Sequence, residues 1–141
     1  MPLWNLYCSE GAFSSEVKHA FAEAITDVYA LAGMPRFYVV VVFHEMAKDS
    51  FYIGGDPRQG FVRIAIDHIA RSVPPEERES LLKFLNKSIH PYVRDRGLDW
   101  EIHIDETPRD LWTIQGMRPP DEGSAEEQRW ARENRPSKPL S

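Results

Sequence analysis

Hydrophobic residues fill both alternating faces of residues 2 to 8, Pro-Leu-Trp-Asn-Leu-Tyr-Cys, with Asn5 the exception; this is the pattern of a short strand covered on two sides. Ser14 then offers a helix N-cap, and Val17, Phe21, Ala24, Ile25, Val28, Leu31 and Ala32 recur at spacings of three and four. That stripe predicts an amphipathic helix stopping near Gly33-Met34-Pro35. Residues 37 to 44, Phe-Tyr-Val-Val-Val-Val-Phe-His, are too β-branched and too short for a helix, and predict a second strand buried on both faces. A parallel return needs a crossover, so the three elements form a β-α-β unit.

The order then repeats. Beyond the turn-forming Gly54-Gly55-Asp56-Pro57, residues 61 to 67 predict a third strand. Pro74-Pro75-Glu76-Glu77 begins a helix, because proline in the first turn loses no needed donor and the acids suit the positive helix end. Leu81, Leu82, Leu85, Ile89, Tyr92 and Val93 supply its apolar stripe, Pro91 predicts a kink or a local loss of pairing, and Gly97 ends it. In residues 99 to 105, strict alternation sets Trp100, Ile102 and Ile104 against Glu101, His103 and Asp105, the pattern of a half-exposed strand.

Two successive β-α-β units predict an α/β (α+β) fold: a four-stranded mixed sheet with two helices on one face, spanning residues 1–118. Residues 119–141 turn to Pro, Glu, Arg and Ser with Trp130 as the large anchor, and predict an extended C-terminal tail that frays or wraps a neighbouring subunit. Helices on one side leave the other sheet face uncovered, although the strands are apolar on both. Self-association follows, with a homotrimer one solution.

Composition narrows the function classes. The 141 residues carry a formal net charge of -5, which disfavours phosphate-backbone binding, so no nucleic-acid partner is expected. Cys8 stands alone and forms no internal disulfide, which suits a reducing, cytoplasmic setting. The start lacks a basic region followed by an apolar stretch, and no run approaches the roughly 20 apolar residues of a membrane span.

The candidate chemistry begins at Pro2. A small second residue permits removal of Met1, which would leave a secondary amine at the start of a buried strand. An α-amino group titrates just above neutrality, and an apolar wall lowers its pKa by desolvating the ammonium, so Pro2 becomes a candidate base. The segments Pro2-Leu3-Trp4-Asn5-Leu6-Tyr7, Lys18-His19-Ala20 and Ala22-Glu23-Ala24-Ile25-Thr26-Asp27 are similar to the amino-terminal half of the cis-3-chloroacrylic acid dehalogenase branch of the tautomerase superfamily. The similarity continues through Val41-Val42-Phe43-His44-Glu45, Phe51-Tyr52-Ile53-Gly54-Gly55 and Glu106-Thr107-Pro108. It implies a pair of β-α-β units assembled as a trimer, with the proline as catalytic base or acid.

The resemblance also implies site residues. The family's two carboxylate-binding arginines fall at His68 and Arg71. Arg71 retains a bidentate anion clamp, whereas His68 supplies charge only when protonated. The family's helix histidine falls at Tyr29, its strand tyrosine at His103 and its water-activating glutamate at Ile114. Isoleucine cannot activate water, which counts against hydrolytic dehalogenation; Tyr29 and His103 can still donate to a bound carbonyl or enol. The plain alternatives are a solvated Arg71, a strand-end His68, a Tyr29 that only closes the helix stripe and a His103 that only faces water.

These readings together imply a cofactor-free isomerase that moves a proton on a small carboxylated enol or keto acid. The alternatives are a hydratase, dehalogenase or decarboxylase of a three-carbon acid using protonated proline, and a non-catalytic trimeric binding protein. His19, His44, His68, His90 and His103 lack zinc-ligand spacing, so no metal is expected. Cys8 reads as a small buried residue, and the Glu126-Glu127 and Arg129, Arg132, Arg135 run as the solvated face of the tail.

Overall fold

The computed structural model describes residues 1–138. Its strands are β1 (Pro2–Ser9), β2 (Val40–Met46), the two-residue arms β3 (Tyr52–Ile53) and β4 (Asp56–Pro57), β5 (Phe61–Ile69) and β6 (Asp99–Thr107). The helices are α1 (Ser15–Ala30), α2 (Arg78–Ile89) and α3 (Ala125–Glu133). The main sheet has the order β2-β1-β5-β6. β1 runs parallel to β2, β5 parallel to β6, and β1 antiparallel to β5 at the centre. The two expected β-α-β units are present, and the central antiparallel pairing gives the mixed sheet.

Alternation along the central strands decides which residues meet the helices. Trp4, Leu6 and Cys8 of β1 and Val62, Ile64 and Ile66 of β5 are buried beneath Phe21 and Ile25 of α1 and Leu85 and Ile89 of α2. Leu3, Asn5, Tyr7, Arg63, Ala65 and Asp67 lie on the other face and are only partly buried. The predicted cap of α1 is formed, with the Ser14 hydroxyl accepting from the Val17 N–H at 3.2 Å. Cys8 is fully buried, as its composition class suggests.

Several boundaries differ from the pattern reading. Pro35 opens a 3-10 turn over Arg36–Tyr38, so β2 begins at Val40 rather than at residue 37. Pro75 likewise opens a 3-10 turn, and the regular α2 starts only at Arg78. Of the two effects expected of Pro91, the structure shows the loss of α-helical pairing rather than a kink: Pro91 lies in a 3-10 turn, His90–Tyr92, that terminates α2. β5 continues to Ile69 and β6 to Thr107, because the parallel ladder persists through His68↔Glu106 and Ile69↔Thr107. This extension carries His68 onto the strand itself.

The expectation of an extended tail is corrected over residues 125–133, which form α3. Ser124 caps it by accepting the Glu127 N–H at 3.1 Å, and Trp130 is 1% exposed, with its ring 6.0 Å from Phe37 and 6.5 Å from Tyr38. A large indole on a short amphipathic helix gains more from burial in its own chain than from solvent. The tail's last residues, 139–141, lie outside the described residues. Among the described residues no helix is long and apolar enough to cross a membrane.

Candidate active site

The antiparallel pairing of β1 with β5 sets Pro2 opposite His68, so the first strand begins where the third ends. The Met1 amine donates to the Ile69 carbonyl at 2.7 Å, which ties the chain terminus to that end of β5. Ala70 follows with φ +71, a left-handed conformation that a residue with a side chain adopts only at a cost. Its N–H still reaches the Thr107 carbonyl at 2.8 Å, and the chain turns there, leaving Arg71 on the wall of a pocket of about 200 Å³. Pro2, Tyr29, His68 and Met34 line the same pocket. Four of the five residues singled out from sequence are thus brought together.

Tyr29, on the last turn of α1, links the core to the pocket. Its hydroxyl accepts from the Trp4 indole N–H at 3.0 Å and lies 2.8 Å from His68 Nε2. The His68 contact is satisfied in two ways: a Tyr29 O–H donating to unprotonated Nε2, or an Nε2–H donating to the hydroxyl and freeing the phenolic proton for a ligand. Burial raises the Tyr29 pKa above the ordinary phenol value, so the hydroxyl keeps its proton. Burial, then the positive chain terminus, lowers that of His68. Burial at this position therefore favours the neutral imidazole, which carries one donor.

The amino terminus itself is perturbed. Burial first, then the Arg71 guanidinium, lowers the Met1 amine from 8.0 to about 5, while the Glu127 carboxylate opposes the change. Pro2 nitrogen lies three bonds further along the chain and is an amide nitrogen while Met1 is attached. Arg71 has internal partners: Nη1 is 3.3 Å from Glu122 and Nη2 is 3.7 Å from Glu127.

His103 is elsewhere. In β6 it pairs with Ala65, so alternation turns its side chain to the sheet face away from the helices, whereas His68 points toward them. Arg63 Nη2 donates to its Nδ1 at 3.0 Å, and its Nε2 lies 3.4 Å from Asp105. Within one subunit it does not meet Pro2. Ile114 lies in a tight turn, bridged to Met117. Among the described residues no group of three or more His, Cys, Asp or Glu is placed to hold a metal ion.

Sequence reasoning missed Glu127. The charged run that contains it reads as solvated, yet Glu127 is 6% exposed and the Arg129 side chain 14%. The available signal was Ser124-x-x-Glu127, a capping-box spacing that marks a helix start and places the glutamate at its first turn.

Comparison with known proteins identifies the family and the fold. Residues 1–135 match the Tautomerase_3 family, described as "Putative oxalocrotonate tautomerase enzyme". RhCC from Rhodococcus jostii RHA1 is 45% identical over 96% of this chain and 99% of its own, with a TM-score of 0.92. A probable enzyme from the thermophilic fungus Aspergillus fumigatus is 40% identical over 98% of this chain and 97% of its own, with a TM-score of 0.91. N1, a member of the cis-3-chloroacrylic acid dehalogenase family, has a TM-score of 0.74 over 94% of this chain and 97% of its own; at 20% identity it shares the fold. No curated protein matches the sequence significantly. The chain belongs to the Tautomerase_3 family, and it shares its fold with a member of the cis-3-chloroacrylic acid dehalogenase family.

Proposed function

We propose that the protein is a cofactor-free cytosolic isomerase that converts small carboxylated enols to keto acids, with Pro2, exposed by removal of Met1, as general base. The observation that carries this reading is the pocket joining the start of β1 to Arg71 and the Tyr29–His68 pair. A base acts best when its pKa is near the working pH, where much of it is neutral and its basicity is still high. The buried, Arg71-facing setting that lowers the terminal amine favours that state.

In the proposed reaction the Pro2 nitrogen takes the enol hydroxyl proton, the freed O–H pair forms the C=O π bond, the C=C π pair is released onto carbon, and the prolinium returns the proton there. An O–H bond and a C=C π bond break while a C=O π bond and a C–H bond form, with no net redox change. Arg71 binds the substrate carboxylate bidentately. The Tyr29–His68 pair supplies one hydrogen-bond donor to the oxygen that carries developing charge. A carboxylate at position 114 is not required for this chemistry, which favours proton transfer over hydration.

The working unit is an oligomer, with a trimer the form proposed. Its support is the half-buried sheet face opposite the helices, where Val42 is 37% exposed beside Leu3 and Val40. His103 is on that face, and takes part in catalysis by reaching the pocket of a neighbouring subunit.

The test is the ketonisation rate of an arylenolpyruvate by Met1-free protein, verified by intact mass, against Pro2→Ala. The expected outcome is a fast wild type and a loss of at least 100-fold in the variant, about the contribution of a positioned general base. Equal rates would overturn the reading.

A further inference from the structure

The ion pairs of Arg71 are unequal. Glu122 approaches Nη1 at 3.3 Å but its side chain is 65% exposed, whereas Glu127 approaches Nη2 at 3.7 Å with 7% of its side chain exposed. Water and salt screen the first far more than the second. Glu127 is also held: Oε1 accepts the Gly123 N–H at 3.1 Å, its own N–H is taken by the Ser124 cap, and Trp130, one turn on, locks α3 to Phe37 and Tyr38. A buried carboxylate persists only with such partners. The proposed chemistry makes no use of it.

From this geometry we infer that Glu127 is a positioning residue of the Pro2 pocket, fixing the Arg71 guanidinium and setting the charge that the amine and the substrate carboxylate meet. The inference rests on the proposed role of Pro2 and Arg71. The charged and titratable groups around the amine are His68 at the end of β5, Arg71 just beyond it, Glu77 in the pocket lining, Arg109 after β6, Glu122 just before α3 and Glu127 in its first turn. Tyr38 is buried beside the same acid, and its hydroxyl has no partner among the described residues; burial, then Glu127, pushes its pKa up to about 12. With Glu127 neutral, Arg71 and Arg109 are opposed at the amine mainly by exposed Glu122, and the ammonium is disfavoured further.

The test follows the amine directly, by ¹⁵N NMR titration of the residue that begins the chain, in wild type, Glu127→Gln and Glu127→Asp. Glu127→Gln is expected to titrate lower than wild type by about half a pH unit or more. The acid limb of kcat/KM moves with it. Glu127→Asp, which keeps the charge one methylene further away, falls between the two. A Glu127→Gln protein with α3 docked, judged by Trp130 fluorescence, and an unchanged titration overturns the inference. Should Glu127→Gln fail to fold, an unshifted Glu127→Asp does the same. Retention of Met1, or full turnover by Pro2→Ala, defeats the tautomerase reading alone, since the titration follows whichever amine begins the chain.

Discussion

At the scale of single residues, Tyr29 does two jobs that oppose substitution. It satisfies the indole N–H of Trp4, itself 1% exposed, and it holds His68 Nε2. Tyr29→Phe keeps the ring and its edge-on packing against both neighbours but strands a buried indole donor and a buried imidazole nitrogen. Leaving buried polar groups unpaired costs about 1–3 kcal/mol, so urea denaturation should show a loss of that order. An unchanged midpoint would mean that water replaces the phenol at no cost. Little of this was legible in the sequence. Position 29 belongs to the apolar stripe of α1, and nothing in a periodicity distinguishes a tyrosine that packs from one whose hydroxyl completes a network. His68 was visible as a candidate, but its neutrality follows from burial at the end of a strand two residues longer than the pattern indicates.

At the scale of elements, the sheet and its two helices were readable because period and length carry that information: apolar runs bounded by Gly and Pro for the strands, three-four spacing for the helices. The proline-led 3-10 turns shifted boundaries without changing the order. α3 was not readable in this way, since a nine-residue helix with one tryptophan and alternating charges has almost no apolar stripe. Its stability comes from the Ser124 cap and from Trp130 in the core, and only the first leaves a local signature. Ser124→Ala should therefore weaken α3 by about 1 kcal/mol. Amide hydrogen exchange across residues 127 to 131 is the measurement, because α3 sits outside the sheet and can open before it. Faster exchange there with unaltered protection in β1 and β5 is expected. Unchanged exchange would show that Trp130 alone holds the helix, and that Glu127 keeps its place without the cap.

At the scale of the whole molecule, the two faces of one sheet carry different parts of the candidate machinery. The helix side holds Pro2, Tyr29, His68 and Arg71, while His103 stands on the other side among Arg63, Glu101 and Asp105. Sequence alternation separated His103 from Trp100, Ile102 and Ile104, yet it could not say which set faces the pocket, because that depends on the pairing of β6 with β5. An uncovered sheet face with Leu3, Val40 and Val42 beside charged strand residues resembles an interface more than a solvated surface, and a second copy supplies matching apolar area. Val42→Asp puts an unpaired charge at the middle of that patch and touches no residue of the Pro2 pocket. It should shift sedimentation velocity from an oligomer toward a monomer while leaving the secondary structure intact. If His103 serves a neighbour's pocket, turnover should fall with the loss of assembly, and the His103→Ala variant should lose turnover while still sedimenting as an oligomer. A Val42→Asp protein that is monomeric and fully active would confine the active site to one subunit and leave His103 as a surface residue.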